Sequence, residues 1–250
     1  MDQRYLRKIT LLDAVEDDPT YIRNLPVVRF LRQQDGLELH APVTFLVGEN
    51  GTGKSTLLEA VAIAWGFNPE GGSRNFTFAT RHTHAGLYQY VRLVQGAYRA
   101  RDGFFLRAES FYNVATEIEQ IPGLCVDAYG GKSLHEQSHG ESFLSLLQNR
   151  FYGHGFYVLD EPEAALSPTR QMTMLCLLHQ LVQQGSQFLI ATHSPILTAL
   201  PGAQIYELDE TGIAERAYRD TQNYQITRRF LENPERMTQY LFVGNDKKTN

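Results

Sequence analysis

The run Val43-Thr44-Phe45-Leu46-Val47 enters Gly48-Glu49-Asn50-Gly51-Thr52-Gly53-Lys54-Ser55, and the chain leaves that loop through STLLEAVAIAW, residues 55–65. A β-branched apolar run predicts a buried strand, and helix formers with apolar residues at helical spacing predict a helix. Between them stands a complete G-x-x-x-x-G-K-[ST], in the strand-loop-helix context that gives the pattern its meaning. Its glycines let backbone N–H groups turn inward, and the helix N-terminus adds positive potential, so the loop is suited to phosphates. The expected binding positions are Gly48, Glu49, Asn50, Gly51, Thr52, Gly53, Lys54, Ser55 and Thr56. Lys54 is expected to reach the β- and γ-phosphates as a catalytic cation, and the Ser55 hydroxyl to serve Mg²⁺, a hard ion that prefers oxygen.

A second apolar run, FYVL at 156–159, ends in Asp160-Glu161-Pro162. At the carboxyl end of a parallel strand these carboxylates would face the crevice in which α/β sheets bind ligands. Asp160 is then expected to organise Mg²⁺ through its water shell, and Glu161 to polarise an attacking water. Residues 168–184 read as a helix, with Pro168 suited to its first turn and Gly185 to its end, followed by the strand QFLIA at 187–191. This is a β-α-β unit, and the class is α/β with a mainly parallel sheet.

Composition narrows the remaining classes. The 250 residues fit one large domain or two small ones of ordinary globular usage, and 23 basic against 28 acidic residues give a net charge of −5, so no overall basic footprint demands nucleic acid. No apolar run approaches the roughly 20 residues of a membrane span, and the N-terminus lacks the apolar stretch of a signal peptide, which predicts a cytoplasmic protein. Cys125 and Cys176 lack metal-site spacing and are expected to be reduced, semi-buried thiols. The segment HEQSH, His135 to His139, matches the H-E-x-x-H zinc pattern. With Ser138 as N-cap, however, the helix starts near Gly140 and leaves His135 outside it, so zinc is not expected.

The motifs of 43–194 resemble, in kind and order, those of the ATP-binding-cassette (ABC) ATPases, and more closely their soluble RecF/SMC-like branch of short stand-alone ATPases. The resemblance implies a P-loop NTPase fold with antiparallel strands beside the core sheet, a short helical signature lobe over about 110–150 and no coiled-coil arms. It implies ATP and Mg²⁺ as ligands. QSHGES, residues 137–142, occupies the place of the LSGGQ signature but carries His139 for the first glycine, which makes Ser138, Gly140 and Glu141 the implied contacts to ATP on a partner copy. The implied assembly is a head-to-tail homodimer sandwiching ATP. EAALS, residues 163–167, takes the place of the D-loop that crosses the interface, and His193 that of the switch histidine, where a neutral imidazole can bond the γ-phosphate. For the metal-contacting Q-loop residue, Glu109 in FFLRAESFYN is a candidate and Gln95 a rival; for adenine stacking, Tyr21 or Phe30.

The resemblance extends to use: a switch or motor in DNA repair or defence, with the nucleotide-binding subunit of a membrane transporter as the alternative. Within 66–140, Arg74, Arg81, Arg92, Arg99, Arg101 and Arg107 alternate with aromatics, including Tyr88, Tyr90 and Tyr98, and suggest a docking surface for DNA or a protein partner. Pro195 is expected to open another helix, and IYELDETGIAERAY to form two strands about a Glu210-Thr211-Gly212 turn before a polar helical tail.

Overall fold

The computed structural model describes residues 4–73, 86–108, 111, 116 and 139–246. In chain order the regular elements are β1 (Leu6–Leu11), α1 (Pro26–Gln33), β2 (Leu37–Glu38), β3 (Val43–Gly48), α2 (Lys54–Trp65), β4 (Val91–Gln95), β5 (Asp102–Arg107), α3 (His139–Arg150), β6 (Gly155–Asp160), α4 (Pro168–Gln183), β7 (Gln187–Ala191), β8 (Gln204–Leu208), β9 (Ile213–Glu215), α5 (Gln222–Glu232) and α6 (Pro234–Asp246). They build an antiparallel sheet in the order β2-β1-β4 and a larger one in the order β5-β6-β7-β3-β8-β9. The large sheet is parallel from β5 through β8, and β9 closes it as an antiparallel edge strand.

The three apolar runs read as strands are β3, β6 and β7, and they are continuous because both faces of the sheet are covered. Alternate residues divide between two cores, as strand pleating requires. Leu46, Phe156, Val158, Leu189 and Leu208 meet α2 and the small sheet. Phe45, Phe104, Tyr157, Leu159, Phe188 and Ile190 meet α3 and α4. A buried amide joins the two sheets: Gln187 Oε1 accepts the N–H groups of Tyr5 and Leu6 at 2.7 and 2.9 Å, and its Nε2 donates to the Leu6 carbonyl at 2.7 Å.

Helix α4 ends where glycine allows it to. Gly185 lies in the left-handed region at φ 82°, the Ser186 N–H reaches back to the Leu181 carbonyl at 3.0 Å and the Gly185 N–H to Val182 at 2.9 Å, a Schellman closure. Pro195, by contrast, opens no α-helix. The chain makes only a 3-10 turn at Leu197–Ala199, because Pro201 follows and disfavours helical backbone at Leu200.

Two further expectations change. Cys176 is exposed on α4, while Cys125 lies outside the described residues. The tail, α5 and α6, is helical as read but not uniformly polar, since Leu231, Tyr240, Leu241 and Phe242 are exposed. Among the described residues no helix is long and apolar enough to cross a membrane.

Strand register delivers the site. Arg107 pairs with Asp160, Asp160 with Ala191, and Ala191 with Leu46, so the carboxyl ends of β5, β6 and β7 lie in one row, two residues short of the end of β3. The segments carrying Glu161 and His193 leave from that row, and the phosphate loop leaves just beyond it.

Candidate active site

The loop after β3 is shaped by what cannot fit beside it. Gly48 sits at φ 133°, and a Cβ there would lie 2.0 Å from the Leu208 carbonyl oxygen; at Gly53, φ 94°, it would lie 2.7 Å from Val27 Cγ1. The first glycine therefore lets the loop pass over β8, and the second lets α1 close against the start of α2. Gly48→Ala is expected to destabilise the chain by roughly 2–4 kcal/mol, through backbone strain and a clash with main chain that has nowhere to move, as chemical denaturation would measure.

Inside the loop, the Thr52 hydroxyl donates to the Glu49 carbonyl at 2.9 Å, and Lys54 Nζ donates to the carbonyls of Gly48 and Glu49, each at 2.7 Å. Lys54 is only 4% exposed. Burial pushes its ammonium below the usual lysine range, and the neighbouring carboxylates of Glu161, Asp160, Glu163 and Glu49 oppose that shift. An ammonium has three N–H donors; two are held by the loop, leaving one direction for a ligand oxygen.

At the end of β6, Asp160 is 6% exposed, and its Oδ1 accepts the Ser55 hydroxyl at 2.9 Å. These two oxygen donors, from loop and strand, are the chemistry a magnesium ion selects, and they stand together as expected. Glu161 follows in the left-handed region, φ 50° and ψ 50°, a conformation that non-glycine residues keep mainly where function holds them there. Its N–H bonds the Ala191 carbonyl at 2.9 Å, and its Oε1 lies 3.5 Å from His193 Nε2. An open cleft of about 590 Å³ is lined by Ser55, Arg107, Asp160, Glu161, Ala164 and Ala165.

Arg107 is the functional residue that sequence reasoning misplaced. It does not belong to an outward docking patch: Nη1 bonds Glu59 Oε2 on α2 at 2.8 Å, and Nε stands 3.7 Å from Asp160 Oδ2. It braces the Asp160 carboxylate against the helix that follows the loop. The only available signal was its distance from FFL, which fixes its place at the end of β5. Tyr88 and Tyr90 likewise turn inward to the core, and the Tyr90 hydroxyl donates to Asp18 at 2.7 Å. Arg92, Arg99 and Arg101 are exposed; Arg74 and Arg81 lie outside the described residues.

Ser138, Glu109 and His135 also lie outside the described residues, and Gln95 ends β4, in the small sheet. Gly140 and Glu141 stand in the first turn of α3 and are not among the residues lining the cleft. Any Cβ at Gly140 would lie 2.8 Å from the Ala165 carbonyl and 2.6 Å from Arg170 Nη1, so this glycine lets α3 pack on the turn after β6. Glu141 pairs with Arg170 of its own chain at 3.0 Å. Of the adenine candidates, Phe30 is 5% exposed and belongs to the core, because α1 packs against β1 and β9; Tyr21 is 62% exposed.

Strand order, phosphate loop and acidic strand end together define a P-loop nucleotide-binding fold. An AAA domain family matches residues 22–137. The cobalt import ATP-binding protein CbiO of Salmonella typhimurium is 27% identical over 191 residues, 68% of each chain. A metal-chelate type ABC transporter in an inward-facing conformation superposes over 90% of this chain and 88% of that one, with 15% identity and a TM-score of 0.52. An SMC head domain from Thermotoga maritima aligns with 72% of this chain and 92% of its own, at 16% identity and a TM-score of 0.40. The chain is thus similar in sequence to an ATP-binding-cassette import protein and shares the fold of a solved ABC transporter chain.

Proposed function

We propose that the chain binds ATP with Mg²⁺ and hydrolyses it, working as one of two head-to-tail copies. The observation that carries this reading is the convergence of Asp160, Glu161 and His193, from neighbouring strand ends, with Ser55 in the first turn of α2 beside Lys54. Ser55 and Asp160 would hold the metal, which draws negative charge off the phosphate oxygens. Lys54 and the loop N–H groups hold the β- and γ-phosphates in line. Glu161 takes a proton from the attacking water, and His193 donates a hydrogen bond to the γ-phosphate.

Ser138 and, at the start of α3, Gly140 are the proposed contacts to a γ-phosphate bound on the other copy, where a helix N-terminus suits an anion. The monomer is then an incomplete enzyme. The test is the solution mass of Glu161→Gln with and without MgATP. A doubling that needs both ATP and Mg²⁺ is the expected result, and a monomer under every condition removes the sandwich.

Two biological uses follow from different observations. The RecF/SMC resemblance of the motifs, with exposed Arg92, Arg99 and Arg101, supports work on DNA. The similarity to the cobalt import protein supports a transporter subunit. Stimulation of phosphate release by duplex DNA, lost when Arg99 and Arg101 become glutamate, favours the first; co-purification with a permease favours the second.

A further inference from the structure

His193 is held by its backbone from two sides. Glu163 Oε1 accepts its N–H at 2.5 Å, and Asn223 Nδ2 on α5 donates to its carbonyl oxygen at 2.8 Å. Glu163 stands in the 3-10 turn Pro162–Ala165, between Glu161 and the exposed stretch Ser167-Pro168 that starts α4. The second Glu163 oxygen and His193 Nε2 are both buried without hydrogen-bond partners among the described residues. Leaving such groups unpaired costs about 1–3 kcal/mol each, a cost that persists where it serves the site.

We infer that Glu163 is the positioning residue that ties His193 to the turn after β6, so that movement of that turn moves the imidazole relative to Glu161. The inference rests on the ATPase reading and adds to it a mechanical link. The 3-10 turn contains Ala164 and Ala165, which line the cleft, and Ala165 presents its carbonyl to Gly140 at the start of α3. Glu163 touches no reacting atom in this scheme; it acts through His193 alone.

The experiment compares Glu163→Ala and Glu163→Gln, because a glutamine amide oxygen still accepts the His193 N–H. Steady-state phosphate release should show kcat lowered about tenfold or more in Glu163→Ala, since small misplacements of a catalytic group are costly, with the KM for ATP within about threefold of wild type. Glu163→Gln should recover most of that kcat. The MgATP-dependent dimer should persist when Glu163→Ala is added to Glu161→Gln. Hydrogen exchange at the His193 amide supplies a readout free of activity: roughly tenfold faster in Glu163→Ala and near wild type in Glu163→Gln.

Wild-type kcat in Glu163→Ala, or a Glu163→Gln variant as impaired as Glu163→Ala, overturns the inference, as does unchanged amide exchange. A wild-type protein that releases no phosphate overturns the ATPase reading instead, and the exchange comparison still decides whether the tie exists.

Discussion

Phosphate release by Glu161→Gln is expected to fall about 10³-fold, while its affinity for MgATP stays within a few-fold of wild type. The replacement is isosteric and changes only the capacity to accept a proton, so it isolates the general-base contribution, typically 10²–10⁴ in rate. Geometry supports the upper part of that range. Register with β7 holds the end of β6, the Glu161 N–H is bonded to Ala191, and the left-handed backbone at φ 50° directs the chain into the cleft wall. Such backbone costs of the order of 1–3 kcal/mol, and glutamine inherits the whole of it, so thermal stability should not change. Phosphate release and equilibrium binding of a fluorescent ATP analogue make the check. Turnover above about a tenth of wild type would mean that another group activates the water.

How much of this was legible in the sequence follows from how local each signal is. VTFLV, FYVL and QFLIA declare themselves as buried strands because each is apolar on both faces, and the phosphate loop declares itself because its glycines answer a local backbone demand. The Asp160 and Ser55 partnership could be named in advance for the same reason: both sit at motif positions. Long-range pairing was not legible. The small sheet joins Leu6 to Gln95, and nothing in LRKITL says where its partner strand lies.

Arg107 and Glu163 show the same limit within the site. An arginine after FFL reads as one more surface cation until the register places it beside Asp160. A glutamate after DEP reads as a loop residue until β7 brings the His193 N–H to its carboxylate. Phe30 failed for the opposite reason. An aromatic suited to stacking and an aromatic suited to a core look alike until the face of α1 is known.

Lys54→Ala is expected to weaken MgATP binding by about 10²–10³-fold, and ADP binding by less. A unit charge about 4 Å from a phosphate oxygen interacts by roughly 4 kcal/mol at an effective dielectric of about 20, which is near three decades of affinity. ADP lacks the γ-phosphate and forfeits only part of that. The apo protein should be almost unaffected, because Lys54 does little for the fold. Burial disfavours its charge, and the two carbonyl bonds to Gly48 and Glu49 only offset that penalty.

The pH dependence has a definite sign. The folded-state value lies below the ordinary 10.5, so the unfolded chain binds more protons across the interval between the two. Wild type should therefore gain stability relative to Lys54→Ala as pH rises through the alkaline window below 10.5. Competition binding measures the first effect and denaturation at several alkaline pH values the second. A variant that keeps ATP affinity within about threefold would mean that the loop N–H groups alone hold the nucleotide, and that the buried ammonium serves the loop and not the ligand.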